Sequence, residues 1–274
     1  METVRSKDGT LIAYERSGTG PALILVHGTT ADHTRWQPVL PMLEQTFTMY
    51  AVDRRGRGWS GDSETYSLER EYDDIAAVVA SIREPVNLLG HSYGALICLE
   101  AALRVTNLSR LVLYEPSMPT GEPIYPPGAR AKIQALIDAR DREGGLLAFY
   151  RDVVGIPEHQ IAVLRNEPAW AARLAAAHTI PREFSDEDYI FESSRFKDLD
   201  IPALLLQGEN SPDYLKAATE AVHAALPGSR IVIIPGQQHI AMSTVPELFA
   251  RLVTVFLLSP AESVRMEMIG GQKG

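Results

Sequence analysis

The chain has 274 residues, of which 45% are hydrophobic and 22% are charged, the composition of a folded globular protein. Its 26 basic and 35 acidic side chains give a formal net charge of −9. This charge argues against a nucleic-acid-binding protein, because such proteins need basic surfaces to neutralise phosphate. The single cysteine excludes an intramolecular disulfide and a cysteine-based zinc cluster. The sequence shows no signal-peptide pattern and no run of ~20 apolar residues, so we expect a cytoplasmic protein without a membrane partner.

Short apolar runs alternate with helical patterns over much of the chain. The runs that predict strands are Leu11–Tyr14, Ala22–Val26, Phe47–Val52, Val86–Leu89, Leu111–Tyr114, Ala203–Leu206 and Arg230–Ile234. Apolar residues at helical spacing between Tyr72 and Ile82, and the segment Ala95–Leu103, predict helices between strands. Continuous apolar strands separated by helices predict an α/β fold with a mostly parallel sheet, covered by helices on both faces.

The stretch Ser117–Leu199 breaks this alternation. It begins with a proline-rich loop, and its helical patterns cover Ala129–Arg142, Gly145–Val154, Glu158–Asn166 and Trp170–His178. We expect a helical cap over residues 117–199 that lies across the strand ends; extra helices on the flank of the sheet are the alternative. Residues 1–116 and 200–258 then form the core, and residues 259–274, which are glycine-rich and charged, form a flexible tail.

The segment Gly90–Gly94 reads Gly-His-Ser-Tyr-Gly and matches the G-x-S-x-G pattern. It follows a predicted strand and opens a predicted helix, which is the context that this chemistry requires. On such a sharp turn the serine backbone is strained, and flanking glycines relieve the crowding. The pattern predicts that Ser92 is a nucleophile exposed above the edge of the sheet.

Three further motifs each follow a predicted strand. They are His27–Thr30 (His-Gly-Thr-Thr), Asp53–Ser60 (Asp-Arg-Arg-Gly-Arg-Gly-Trp-Ser) and Gly236–His239 (Gly-Gln-Gln-His). With the Ser92 motif they resemble the α/β-hydrolase fold family, in its cap-bearing esterase, lactonase and haloperoxidase-like branch. The resemblance extends over nearly all of the chain, up to about Leu258. It implies an eight-stranded, mostly parallel sheet with helices on both faces and a helical cap insertion.

A serine hydroxyl is a weak nucleophile at neutral pH and needs a base with a pKa near 7 within hydrogen-bond reach. Of the seven histidines, His239 follows a late predicted strand in a glycine-containing loop, and the resemblance identifies it as this base. The family pattern places the oxyanion-stabilising donors on the backbone N–H groups of Thr29 and Tyr93. The residues that we expect to bind the substrate are Thr30, His33, Trp36, Met118 and Ile240.

The base needs a carboxylate to fix its tautomer, and here the sequence departs from the family pattern. The usual position of the acid falls on Ser211, which cannot carry a negative charge. Asp213 and Glu209 are alternatives in the same loop. We favour Glu115, at the end of the strand Leu111–Tyr114, because a carboxylate there is costly unless it is paired or functional. Some branches of the family use this site, and the chain order of nucleophile, acid and base is then kept.

The motif from Asp53 to Gly58 is basic and glycine-rich, but it lacks the endings of phosphate-binding loops. We interpret it as the family's structural loop, held by pairing between Asp53 and an arginine. Cys98 falls on the helix after the nucleophile motif, where we expect it to fill the core.

The resemblance and these residues predict a cofactor-free serine hydrolase that cleaves a carboxylic ester or lactone of a small apolar molecule. A C–C bond hydrolase or a perhydrolase with the same triad is the alternative chemistry. From another class, a small-ligand-binding receptor with little turnover stays open. No metal-ligand spacing is present, so we expect no metal site. The expected partner is a small-molecule substrate, and the oligomeric state is open.

Overall fold

The computed structural model describes residues 1–121, 124–156, 158–166, 169–184 and 189–260. Within these residues, eight strands form one sheet in the order β1-β2-β4-β3-β5-β6-β7-β8. The strands are β1 (Glu2–Arg5), β2 (Leu11–Ser17), β3 (Ala22–Val26), β4 (Thr48–Val52), β5 (Val86–His91), β6 (Leu108–Tyr114), β7 (Ala203–Gly208) and β8 (Ser229–Ile234). Strands β3 to β8 are all parallel to one another, whereas β2 is antiparallel to both β1 and β4. The predicted α/β fold with a mostly parallel sheet is confirmed.

Helices connect the strands on both sides of the sheet. They are α1 (Leu40–Leu43), α2 (Leu68–Ser81), α3 (Tyr93–Ala102), α4 (Ala129–Asp138), α5 (Arg142–Ala148), α6 (Glu158–Arg165), α7 (Trp170–Ala176), α8 (Ile180–Glu183), α9 (Asp213–Ala225), α10 (Ala241–Thr244) and α11 (Pro246–Leu258). None of the helices in the described residues combines the length and apolar character that a bilayer span requires.

The two-residue period of the strands divides the core into two clusters, one on each face of the sheet. In β3, Ile24 packs with α2, α3 and α9, while Leu23 and Leu25 pack with α1 and α11. In β6, Val112 and Tyr114 point to the α11 face. Because both faces are covered, the sheet has central strands that are mostly apolar and buried. The edge formed by the carboxyl ends of its strands therefore provides well-defined positions for functional side chains.

The first strand was not predictable from the apolar pattern. Strand β1 holds one apolar residue, Val4, and is mostly exposed at the sheet edge, where it pairs with β2. An edge strand needs little apolar surface, because its ladder of backbone hydrogen bonds is formed on one side.

The described residues from Ala129 to Phe184 form what we call the helical insertion. They have a small core of their own, which includes Ile133, Leu146 and Phe149. The predicted single helix over 145–154 differs from the structure: α5 begins earlier and a π-helical turn follows at Phe149–Val154. Contacts from the helical insertion reach the loops after β3 and β4, at the carboxyl edge of the sheet. Most of the predicted flexible tail lies outside the described residues, which end at residue 260.

Candidate active site

Ser92 lies on a sharp turn between β5 and α3, with φ 58° and ψ −126°. Its backbone N–H donates to the Tyr114 carbonyl at 2.9 Å, which ties the turn to the neighbouring strand β6. A Cβ atom at Gly90 would lie 2.5 Å from the Gly94 carbonyl oxygen, so the turn closes only with a glycine there. This sharp turn, residues 90–94, is called the elbow below, and it holds Ser92 at its tip.

Backbone strain is concentrated around this elbow. Among the described residues other than glycine, positive φ angles occur at Thr30, Ser92, Glu115 and Arg140. The first three follow the neighbouring strands β3, β5 and β6 at the same edge of the sheet. Each such conformation costs roughly 1–3 kcal/mol and persists where the surroundings enforce it, which is common at functional sites. The strained residues therefore mark the carboxyl ends of these three strands as the candidate active site.

His239 and Glu115 form a short hydrogen bond at the site. The Nδ1 atom of His239 lies 2.5 Å from Glu115 Oε2, and the carboxylate is fully buried. The other oxygen, Oε1, accepts the backbone N–H of Gly208 at 2.6 Å. Because a carboxylate only accepts, Nδ1 carries the proton and the lone pair of His239 is on Nε2. This tautomer gives the imidazole a free basic nitrogen.

His91, the residue before Ser92, holds the loop of His239 against the elbow. Its Nε2 atom lies 2.8 Å from the His239 carbonyl oxygen, and the two rings are 4.5 Å apart between centroids. Since a carbonyl only accepts, Nε2 of His91 carries the proton. Burial lowers the pKa of His91 well below its ordinary value, and the neighbouring His239 lowers it further. A neutral ring therefore packs against the candidate base and ties its loop to the residue that precedes Ser92.

The neutral state of His91 predicts a loss of stability in acid. Below the ordinary histidine pKa of about 6.5, the unfolded chain binds a proton on His91 that the folded chain excludes. Acid therefore favours unfolding, by about 1.4 kcal/mol per pH unit for each such group. Since His91→Gln removes the titrating ring, this variant should lose less stability than the wild type between about pH 6.5 and pH 5. Urea unfolding at both pH values measures this difference, and equal losses in the two proteins would contradict it.

The structure separates the three carboxylates considered for the acid. Asp213 is exposed at the start of α9, and Glu209 is exposed and accepts the N–H of Gly236 at 2.7 Å. Among the described residues, Glu115 is the one of the three that contacts His239. Ser211, at the usual family position, is buried next to Gly208, where a Cβ would lie 2.6 Å from its Oγ. The loop after Gly208 thus carries a buried serine at that position. Glu115 contacts the start of this loop from the neighbouring strand β6, through the N–H of Gly208.

Two backbone donors are close to the elbow. A Cβ atom at Gly28 would lie 2.8 Å from Cβ of Ser92 and 3.4 Å from its Oγ. The next residue, Thr29, therefore lies on a loop that packs against the serine. Tyr93 begins α3, so its N–H belongs to the positive end of that helix. Both positions suit an oxyanion that develops next to Ser92.

Four of the five residues that we expect to bind the substrate have the following surroundings. Thr30 is buried, and its hydroxyl lies 3.3 Å from the hydroxyl of Tyr150 in the helical insertion. Met118 is buried directly after Ser117, whose N–H donates to the Ser92 carbonyl at 3.2 Å. Ile240, next to His239, is 40% exposed. His33 is half-buried and faces Asp53 rather than the elbow.

Trp36 differs from its expected place. Its side chain is fully buried in the core cluster on the α1 and α11 face, together with Leu43 and Phe47. The short 3-10 turn His33–Trp36 places the indole in this core cluster. Its role here is core packing, and we correct the expectation that it binds substrate.

The expected pairing of Asp53 with an arginine is wrong. One oxygen of Asp53 accepts both the backbone N–H and the ring Nδ1 of His33, each at 2.8 Å, and the other accepts the N–H of Trp59 at 2.9 Å. Arg55 instead reaches Asp74 on α2, at 2.6 Å. The hydrogen bond to Asp53 raises the pKa of His33, although burial opposes it. Asp53 thus links the loop after β3, which carries His33, to the loop after β4, which carries Trp59.

One cluster in the described residues could hold a metal ion by its spacing. Asp32, His33 and Asp53 each offer one ligand atom. The oxygen Oδ1 of Asp32 already accepts the N–H of Thr34 at 2.9 Å, and that of Asp53 accepts His33. These hydrogen bonds satisfy the ligand atoms within the loop, and the cluster joins the loops after β3 and β4.

A buried ion cluster joins the helical insertion to the core. Arg54 Nη2 lies 2.7 Å from Glu183 in α8 and 2.7 Å from Glu71 in α2, and Arg57 donates to the same Glu183 oxygen. Burial raises the pKa of Glu71, but Arg54 and Arg57 outweigh it and lower the pKa to about 2. The Arg54 guanidinium also lies 4.7 Å from the ring centroid of Tyr93. Sequence reasoning missed this cluster, because Glu183 is distant in the chain.

Comparison with known proteins agrees with this fold. Residues 23–252 match the model of the alpha/beta hydrolase family. The chain belongs to this family. As an α/β hydrolase, it superposes with a TM-score of 0.82 on the crystal structure of an alpha/beta hydrolase from Sphaerobacter thermophilus, at 32% identity, over 93% of this chain and 100% of that one.

Two more relatives are similar over most of this α/β hydrolase. An esterase from a Rhodococcus species has a TM-score of 0.76 and 27% identity, over 94% of this chain and 98% of that one. A 2-(acetamidomethylene)succinate hydrolase of Mesorhizobium japonicum is 26% identical over 88% of this chain and 89% of the relative. These relatives support a hydrolase and leave its substrate open.

A cavity of about 1220 Å³ lies between the start of the helical insertion and the loop before β7 of this hydrolase. Its walls include Tyr125, Tyr189 and Phe191, with Arg130 among the polar residues. Its lining residues do not include Ser92 or His239.

Proposed function

We propose that the protein is a serine hydrolase that cleaves a carboxylic ester or lactone of a small apolar molecule through an acyl-enzyme. Ser92 is the nucleophile, His239 the general base and Glu115 the acid of the triad. These three side chains supply the nucleophile, the proton transfer and the balancing charge, so the proposed reaction needs no cofactor.

The proposed reaction follows the geometry of the site. Ser92 Oγ attacks the carbonyl carbon, and Nε2 of His239 takes the hydroxyl proton. The negative charge on the carbonyl oxygen is stabilised by the N–H groups of Thr29 and Tyr93. His239 then returns the proton to the leaving alcohol, and Glu115 stabilises the imidazolium in the meantime. A water molecule, activated by the same histidine, hydrolyses the acyl-enzyme.

The contact between Glu115 and His239 supports this proposal more than any other observation. A fully buried carboxylate 2.5 Å from a histidine costs desolvation energy that a purely structural pair rarely needs at the edge of a sheet. The pair stands next to the strained serine elbow, whose preceding residue His91 packs against the same histidine. Nucleophile, base and acid are thereby supported by one continuous set of contacts.

An amide of an acylated amine is a second candidate substrate. The name of the Mesorhizobium relative contains an acetamido group and a dicarboxylate, succinate. The same triad can cleave an amide, provided that His239 donates its proton to the leaving nitrogen. The relative's similarity over most of the chain favours this second candidate over C–C bond cleavage.

A turnover panel tests the proposed function. Short-chain aryl esters, lactones, N-acetyl enamides and an acidic diketone are each incubated with the wild type and with Ser92→Ala. We expect the wild type to release a burst of phenol, in an amount equal to the enzyme, from the aryl esters, because acylation is faster than deacylation for an activated ester. Ser92→Ala should show no burst.

The other outcomes of this panel discriminate between the alternatives. Turnover confined to the enamides would move the assignment to an amidase, and turnover of the diketone alone to a C–C bond hydrolase. Turnover of none of these compounds would contradict the proposed function and favour a ligand-binding receptor. Equal turnover by Ser92→Ala would contradict the role of the serine.

A further inference from the structure

Tyr114, the last residue of β6, is in contact with the nucleophile and the acid through the main chain. Its carbonyl oxygen accepts the N–H of Ser92 at 2.9 Å, and the next residue in the chain is Glu115. Its ring is fully buried on the α11 face of the sheet, 5.5 Å from the ring of Phe249 between centroids. The ring is therefore fixed in the core, while the main chain of Tyr114 contacts Ser92 and continues into Glu115.

The hydroxyl of Tyr114 holds the loop that carries the base. It donates to the carbonyl oxygen of Gln238 and accepts the N–H of Ala241 at 3.0 Å. These two groups flank His239, one residue before it and two residues after it. One hydroxyl at the end of β6 thus holds the four-residue segment 238–241 at both ends.

The phenol is suited to this double role. Burial raises the pKa of Tyr114, and the neighbouring Glu115 raises it further, so the hydroxyl keeps its proton. A protonated phenol both donates and accepts, which the pair of contacts with Gln238 and Ala241 requires. A phenylalanine would fill the same space in the core but would leave both backbone groups without their partner.

We propose that Tyr114 is a positioning residue that sets the distance and angle of His239 relative to Ser92 and Glu115. The inference deepens the proposed hydrolase function and rests on it. Tyr114 touches no reacting atom, so it acts through the base. If its hydroxyl merely stabilised the core, its removal would affect unfolding and leave the geometry of the triad unchanged.

The test uses Tyr114→Phe in the full chain, with Tyr14→Phe as the matched control. Tyr14 donates to Glu2 at 3.2 Å in the N-terminal hairpin, away from the site. Two quantities are measured: kcat and KM for an aryl ester, and the NMR resonance of the His239 Nδ1 proton. A proton in a short hydrogen bond to a carboxylate appears far downfield of the backbone amides, so it reports the contact with Glu115 directly.

We expect Tyr114→Phe to lower kcat by about 100-fold, with KM nearly unchanged, because small misplacements of reacting groups cost this much. Its downfield resonance should broaden or move upfield, while Tyr14→Phe should match the wild type in both measurements. A normal resonance in Tyr114→Phe would overturn the proposal, whatever happens to kcat. A normal kcat would overturn it as well.

Folding and the proposed function are checked separately. If Tyr114→Phe does not unfold cooperatively in urea, the same measurements are made on Ala241→Pro. That change removes the N–H donor at the first position of α10, and the cooperative unfolding of this variant in urea is checked first. The resonance is also recorded in Ser92→Ala. If Ser92→Ala keeps its turnover, the proposed function fails, but the effect of Tyr114 on the resonance still decides the positioning role.

Discussion

Glu115→Gln should lower kcat by about 10⁴-fold, since an amide reverses the tautomer of the histidine. The glutamine can donate to Nδ1 of His239, which moves the imidazole proton to Nε2. The base then has no lone pair to accept the proton of Ser92. The amide oxygen can still accept the N–H of Gly208, so the fold should remain. Steady-state kinetics on an aryl ester and urea unfolding measure the two effects.

Asp213→Asn is the matched control for this variant. Asp213 lies in the loop where relatives carry the acid, but here it is exposed at the start of α9. Its replacement should leave kcat within about twofold of the wild type, because the carboxylate has no contact with His239 among the described residues. An inactive Asp213→Asn together with an active Glu115→Gln would reverse the assignment of the acid.

Glu183→Ala should lower the free energy of unfolding by about 3–5 kcal/mol, because it leaves two buried arginines with fewer partners. Arg54 and Arg57 are fully buried and both donate to the same oxygen of Glu183. Glu71 retains two hydrogen bonds with Arg54 and lies 3.7 Å from Arg57, but its single charge cannot balance both arginines. The loss should appear in urea unfolding as a lower midpoint, with the slope unchanged.

An exposed ion pair in the same part of the chain provides the control. Glu158 pairs with Arg151 in the helical insertion, and both side chains are largely exposed. Glu158→Ala should leave the midpoint of unfolding unchanged, because water already solvates the charge that remains. If Glu183→Ala is as stable as Glu158→Ala, the buried cluster does not hold the helical insertion to the core.

The ion cluster also connects to the site. Arg54 lies over the ring of Tyr93, whose backbone N–H is one of the two proposed oxyanion donors. The hydroxyl of Tyr93 lies 3.1 Å from that of Tyr66, which donates to Glu71. Displacement of Glu183 would therefore disturb contacts around the residue that follows the nucleophile. We expect Glu183→Ala to lower kcat as well as stability.

The fold was predictable because the central strands are buried on both sides. Runs such as Ala22–Val26 and Ala203–Leu206 are apolar without interruption, and between helical segments this pattern is typical of strands in a covered parallel sheet. Strand β1 lacked this signal, since an edge strand needs little apolar surface. The helix and π-helical turn near Phe149 depend on packing within the helical insertion, which the local pattern does not reveal.

The candidate site was predictable where a residue follows a strand directly. Ser92 and Glu115 directly follow β5 and β6, whereas His239 lies further along the loop after β8, and the structure brings Glu115 and His239 into contact. Residues that act across the chain were missed. Tyr114 looked like one more apolar strand residue, although a tyrosine at a strand end next to a carboxylate was an available signal. Trp36 was misplaced, because the sequence does not tell which face of the sheet an aromatic side chain covers.

Labelling with a fluorophosphonate tests the central claim most directly, namely that Ser92 is an activated nucleophile. The folded wild type is treated with the probe, digested, and mapped by peptide mass spectrometry. We expect one adduct per chain, on Ser92, and much slower labelling in Glu115→Gln and in His239→Ala, because the serine is activated through both. Absence of an adduct on Ser92 in the folded protein, or equally fast labelling without the histidine, would contradict the account.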